Sequence, residues 1–305
     1  MCAPVAGTDS LVAPPMSSRI TDSQTTVAII GPGRVGQALG RLLLLAGVRI
    51  GWVAARRLAA AKKAVRFIGA GRAVTLDSAD LAAAGLLLIT TSDSALPGVA
   101  LALAKRRESW KGAIVLHTSG AWPAGGRDSV LQPLRRRGAS AASLHPLQTV
   151  PSAKAGVRNL IGCFWAIEGD PQGVKLARRW VRALRGAVFT LRPEHKPAYH
   201  AAAVIACAGI VTLLESSRRL LERCGVPPKR ARHLLEGFVA ETAKNFAALG
   251  APRALTGPAL RGDWATLRKH FAALEKTTPD LVPLYGELLH SMLRMTGRRV
   301  PRGVS

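Results

Sequence analysis

Gly31, Gly33 and Gly36 follow the apolar run Val27–Ile30 at the spacing Gly-x-Gly-x-x-Gly and lead into a helical pattern that starts at Arg34. Each glycine has its own use there. Gly31 permits a tight turn, Gly33 lets backbone approach a pyrophosphate, and Gly36 lets the helix pack on the strand. The free N–H groups and the dipole at the helix start favour phosphate. Arg34 and Val35 complete the bend. The stretch reads as a dinucleotide-binding turn, with an ordinary strand-to-helix turn as the alternative.

The next strand bears on which dinucleotide. A strand over about 49–53 is followed by Ala54-Ala55-Arg56-Arg57. An NAD site would carry an Asp or Glu about 20 residues beyond the glycines, on the ribose 2′-hydroxyl. Arg56 and Arg57 stand there instead. A guanidinium pairs bidentately with a 2′-phosphate that a carboxylate would repel. The expected cofactor is NADP(H), against a plain solvated arginine pair.

Further chemistry gathers at later strand ends. Strands are expected near 73–76, 86–91, 113–116, 141–144, 163–167 and 187–191. Three of them end in Thr91-Ser92-Asp93-Ser94, His117-Thr118-Ser119-Gly120 and His145-Pro146-Leu147-Gln148. Ligands of open α/β sheets bind outside the carboxyl ends of the strands. Thr91, Ser92 and Ser94 are expected to line the nicotinamide side. His145 is the leading general acid/base, with Ser119 and His200 in support and His117 as a second candidate. An imidazole can exchange a proton with a carbonyl or hydroxyl, and its protonated form can stabilise an alkoxide. Polar residues at strand ends are also ordinary turn and cap residues, and a buried His bonded to backbone is the competing reading.

The elements that must hold these residues alternate strand and helix up to about residue 192. That pattern indicates α/β: a Rossmann doubly wound, mostly parallel sheet over 25–192. A helix opened by Asp77 or Ser78 and another around 174–184 belong to it. From Pro193 the pattern is helical, with breaks near 225–228, 250–252, 256–263 and 278–279, so residues 193–305 form an all-α domain. Residues 1–24, rich in Ser, Thr, Pro and Ala, read as a disordered tail without the marks of a signal peptide. The apolar run Ala201–Leu214 has the length of a buried core helix, below the roughly 20 residues a membrane span needs. Asp263 is placed to cap the helix beginning at Trp264. Arg261 could meet a substrate carboxylate, and Asn245 is a minor candidate.

The 305-residue chain carries a formal net charge of +25. Such a balance attracts polyanions. The basic residues are spread along the chain, with short clusters at Arg56-Arg57, Lys62-Lys63, Lys105–Arg107, Arg135–Arg137 and Arg298-Arg299, and few aromatics lie among them. A phosphate-bearing small ligand is therefore expected, and specific nucleic-acid binding is not. Cys2, Cys163, Cys207 and Cys224 are scattered without metal-ligand spacing, which fits a reducing cytoplasm.

The combination of Gly31-Pro-Gly-Arg-Val-Gly36, Thr91-Ser-Asp-Ser-Ala95, His117-Thr-Ser-Gly120, His145-Pro-Leu-Gln148, Tyr199-His-Ala-Ala-Ala203 and Leu255–Asp263 resembles the bacterial Rossmann-like and DUF2520 proteins. The resemblance runs from about residue 25 to the end. It implies kinship with pyrroline-5-carboxylate reductase and the β-hydroxyacid dehydrogenases, and a helical domain like the C-terminal domain of 6-phosphogluconate dehydrogenase. It further implies a homodimer through that domain and a substrate cleft between domains. His145-Pro146 is similar to the His-Pro of prephenate dehydrogenases, with Ser119 near an assisting serine. β-Hydroxyacid dehydrogenases carry a catalytic Lys on the first helix after the sheet and an Asn one turn on. Here that helix begins Glu194-His-Lys-Pro-Ala-Tyr-His200, so Lys196 falls before or in its first turn. Ala208 stands where relatives show the asparagine. The expected activity is hydride transfer to or from a small carbonyl, imine or hydroxyl compound. A non-catalytic NADP-binding dimer and a nucleic-acid-associated basic protein are the alternatives.

Overall fold

A computed structural model describes residues 26–297. Cys2, the tail over 1–24 and Arg298-Arg299 lie outside the described residues. The first unit begins β1 (Val27–Ile30), α1 (Arg34–Leu45), β2 (Ile50–Ala55), α2 (Leu58–Ile68), β3 (Arg72–Thr75), β4 (Leu86–Ile89), α3 (Leu96–Ala104) and β5 (Ile114–His117). It continues with α4 (Gln132–Arg135), β6 (Ser140–Pro146), α5 (Ala153–Asn159), β7 (Phe164–Gly169), α6 (Pro171–Ala183), β8 (Ala187–Thr190) and α7 (Lys196–Val204). The helix expected after Ser78 is a 3-10 turn, Ala79–Ala83, which Ser78 caps through Asp80 N–H.

The strands form one sheet in the order β3-β2-β1-β4-β5-β6-β7-β8. All pairs are parallel except β6–β7, which is antiparallel. Apolar runs such as Leu86–Ile89 are buried on both faces, because helices cover both sides. Val27, Ile29 and Leu88 point to one core with α1, α2, α5 and α6. Ala28, Ile30 and Leu87 point to the other with α3 and α4. The strand order reverses between β1 and β4, the switch point where such sheets open a crevice.

The second compact unit starts at Ile205. A π-helical turn, Ile205–Gly209, is followed by α8 (Ile210–Arg223), α9 (Pro228–Leu249), α10 (Pro258–Arg261), α11 (Trp264–Thr277) and α12 (Val282–Met295). Asp263 caps α11, accepting from Thr266 N–H. The first unit thus keeps α7, twelve residues past the change of pattern at Pro193. The buried helix expected over Ala201–Leu214 is a correction: the π turn and α8 contain no buried residue, and Ile205 and Val211 are 72% and 62% exposed. Among the described residues, none buries its apolar stripe. Helical structure extends from Pro193 to Arg223, so by length and composition alone it would reach across a bilayer.

Candidate functional site

The glycine bend closes as its sequence spacing requires. Gly31 has φ +73°, a left-handed conformation suited to glycine, and its N–H donates to Ala54 O at 2.8 Å. A Cβ at Gly31 would lie 2.3 Å from Thr91 Cγ2, and one at Gly36 would lie 2.1 Å from Thr90 Oγ1. Thr90 Oγ1 in turn donates to Gly31 O at 2.9 Å, which fixes α1 against the ends of β1 and β4. Gly33 is different. Its φ of −72° suits any residue, and the nearest atom to a Cβ there is Gly31 O at 4.0 Å. Neither backbone nor neighbours require glycine at that position, and the space in front of it is open.

That space is a groove of about 530 Å³ whose wall includes Gly31, Gly33, Arg56, Arg57, Thr91, Ser92 and Ser94. Gly33 is the N-cap of α1 and offers no side-chain oxygen, so the first N–H groups of the helix keep no side-chain acceptor. Thr91 Oγ1 is buried without a partner. Val35 is half-buried; Arg34 is exposed and reaches Pro151 O at 3.4 Å. Arg56 and Arg57 are exposed just beyond the carboxyl end of β2. A donor-lined bend, an orphaned hydroxyl and two guanidinium groups fit a dinucleotide with an additional phosphate.

A second cluster forms beyond β5 and β6. Lys196, in the first turn of α7, is 1% exposed, and its ammonium donates to Ser119 O at 2.7 Å and to Ser143 Oγ. Glu168 Oε1 lies 3.8 Å from Nζ. Glu168, also buried, accepts from Ala124 N–H at 2.8 Å and Gly125 N–H at 2.9 Å. Burial lowers Lys196 to about 8, against the charges of Glu168 and Asp93 that support its ammonium. The β4 and β5 loops are tied where Trp122 Nε1 donates to Asp93 O at 2.9 Å.

His145, at the end of β6, shares a 2.7 Å hydrogen bond between Nδ1 and Tyr199 Oη. Its ring meets that of His200 edge to face at 5.7 Å. A Cβ at Gly120 would lie 2.3 Å from His200 Nδ1 and 2.9 Å from His145 Nε2, so only glycine lets this backbone pass the two imidazoles. His200 Nδ1 is buried without a partner. Burial first, then the charges of Lys196 and His200, push His145 down to about 3. The imidazole is therefore neutral near pH 7, and the protonated form expected to face an alkoxide is not its resting state. Burial holds the Tyr199 hydroxyl up at about 12.

Ser119 and His117 have local duties. Ser119 Oγ accepts from Ala121 N–H at 3.2 Å and Trp122 N–H at 3.0 Å, shaping the turn after β5. His117 is fully buried, accepts from Ser119 N–H at 3.1 Å, and is held well below its ordinary pKa mainly by burial. The sequence alone does not single out Lys196, Glu168, Ser143, Tyr199 and Gly120 as site residues. Lys196, Tyr199 and Gly120 lie within or beside the strand-end and helix-start motifs, whereas Glu168 lies inside an apolar strand, where a lone carboxylate is itself a signal.

Comparison with known proteins agrees with this architecture. The Rossmann-like domain family matches residues 11–146, and the family described as Domain of unknown function (DUF2520) matches residues 163–292. The chain carries a Rossmann-like domain followed by a DUF2520 domain. Among solved structures it is similar to a Bacteroides fragilis protein named as a candidate NADP oxidoreductase, with TM-score 0.70, 23% identity, and 89% and 99% of the two chains covered. A reductive aminase from Aspergillus terreus in complex with NADPH and ethyl levulinate gives TM-score 0.62 and 20% identity over 90% and 95%. A pyrroline-5-carboxylate reductase from Coxiella burnetii gives 0.54 and 16% over 90% and 99%. At these identities the likeness establishes the fold. No curated protein sequence matches the chain.

Proposed function

We propose that this DUF2520 protein is an NADP(H)-dependent oxidoreductase acting on a small carbonyl, imine or hydroxyl compound. The observation that carries the proposal is Gly33, a glycine required by neither its φ nor any neighbouring atom, at the head of a helix that faces the groove. The N–H groups of α1 would hold the pyrophosphate, and Arg56 and Arg57 the 2′-phosphate. The cofactor, when bound, supplies or accepts a hydride.

The chain's own residues then manage the proton. A neutral His145, oriented by Nδ1–H donating to Tyr199 Oη, acts as a general base through Nε2 toward a hydroxyl substrate, and the imidazolium so formed returns that proton to solvent before the next turnover. His200, packed with Nδ1 against Gly120 and its ring edge to face with His145, holds that imidazole in place. Lys196 stays on Ser119 O, Ser143 Oγ and Glu168, and so positions the β5 loop. Relatives named for NADPH chemistry support this class of reaction without fixing its substrate.

The protein would work in the cytoplasm as a homodimer, a second copy covering the apolar side of α8 and α9, where Phe238 and Phe246 are 73% and 61% exposed. Light scattering of the purified full chain checks this, and a monomer contradicts it. Titration with NADPH and NADH tests the cofactor: NADPH should bind at least about tenfold more tightly, and Arg56→Ala with Arg57→Ala should remove that preference. Turnover with a panel of imines, 2-ketoacids and 3-hydroxyacids tests the reaction. NADPH binding without any turnover would favour the non-catalytic alternative.

A further inference from the structure

The basic residues spread along the chain are sorted in space. One face of the sheet is covered by α1, α2, α5 and α6, which share a core with it. None of these four helices contains an aspartate or glutamate, and each carries at least two lysines or arginines. Lys62, Lys63 and Arg66 on α2, Arg158 on α5, and Lys175 and Arg178 on α6 are exposed. Along α6, Lys175, Arg178, Arg179 and Arg182 fall within eight residues, roughly one charge per 3 Å of helix.

In and around the opposite layer, acidic residues are interspersed with the basic ones: Asp77, Asp80, Asp93, Glu108 and Asp128 alternate along the chain with Arg72, Lys105–Arg107, Lys111 and Arg127. Arg72 pairs with Asp80, Arg106 donates to the carbonyls of Asp77 and Leu76, and Arg107 donates to that of Ala82. The two sides of one sheet therefore present different electrostatic surfaces. Like charges on one face repel each other, and a polyanion relieves that repulsion while its own counterions are released.

We propose that the face formed by α1, α2, α5 and α6 docks a nucleic acid through its phosphate backbone. Binding at a lipid surface would add apolar side chains to the charge. Among the described residues, the large apolar side chains exposed on these helices are Leu45 and Leu58, each 40% exposed and each at a helix end. Charge without an apolar wedge suits a solvated phosphodiester chain. Contacts are made to phosphates, so base sequence matters little.

The test is fluorescence anisotropy of the full chain with a labelled DNA duplex and a labelled RNA hairpin, between about 50 and 200 mM salt. The face variant Lys62→Glu, Lys63→Glu, Lys175→Glu, Arg178→Glu should bind on the order of 100-fold more weakly, with a shallower salt dependence. The control Lys105→Glu, Lys111→Glu, Arg127→Glu, Arg136→Glu carries the same change in charge elsewhere and should stay within about threefold of the unmodified chain. If the face variant does not fold, the glutamine version of the same four positions replaces it. NADPH affinity should be unchanged in the face variant, which separates this proposal from the cofactor reading. Equal losses in both variants overturn it. So does the absence of binding at about 150 mM salt, or a preference for phosphatidylserine vesicles over both nucleic acids.

Discussion

The glycine-lined groove and the Lys196 cluster lie beyond the ends of strands in one sheet, yet they are made of opposite materials. The groove is backbone and empty space: Gly31, Gly33 and Gly36 act by what they lack. The cluster is buried charge: Lys196 and Glu168 act by what they bring into a dry environment. A site made of absent side chains tolerates its own emptiness, because free N–H groups at a helix start remain near water. A site made of buried ions does not, because each ion depends on its partner. Stability should therefore depend on the cluster and ligand affinity on the groove.

Lys196→Met is the strongest way to break that contrast. It leaves Glu168 buried without its cation and should cost about 3–5 kcal/mol in urea unfolding. Adding Glu168→Gln should recover part of that loss. His145→Ala comes next. Turnover should fall about 10²- to 10⁴-fold while NADPH affinity stays within about twofold. Unchanged turnover would remove His145 from the reaction.

The glycines sharpen the comparison within the groove itself. Gly36→Ala forces a methyl group onto Thr90 Oγ1 and should cost about 1–3 kcal/mol in stability. Gly33→Ala meets no atom of the fold and should change stability by less than about 1 kcal/mol while weakening NADPH at least about tenfold. Thermal unfolding and NADPH titration of the two variants give both numbers.

Acidification acts on stability through His145, with a definite sign. His145 binds its proton near pH 3 in the folded chain and near its ordinary value of about 6.5 when unfolded. Between those values the unfolded chain holds the extra proton. Its contribution to stability is present above about pH 6.5 and is lost as the pH falls toward 3. His145→Gln should flatten that part of the stability profile. An unchanged profile would mean that other groups carry the acid loss.

What was legible in the sequence follows the same division. Strand runs such as Leu86–Ile89, the glycine spacing, the arginines after β2 and the cap at Asp263 are local signals, and each is realised within a residue or two. The Lys196 cluster joins β5, β6, β7 and α7. No local pattern announces that Lys196 turns inward, since Pro197 beside it suggests only a helix start. The exposed apolar stripe of α8 misled for a related reason. A pattern reports that a face wants cover, but not which chain supplies it.

Calorimetric titration of the full chain with NADPH, alongside Gly33→Val, tests most directly whether the bend takes a diphosphate. Single-site binding by the unmodified chain, at least about tenfold weaker in a Gly33→Val protein of equal thermal stability, is the expected result. The absence of heat with NADPH and NADH alike, or equal affinity in the two proteins, would contradict it.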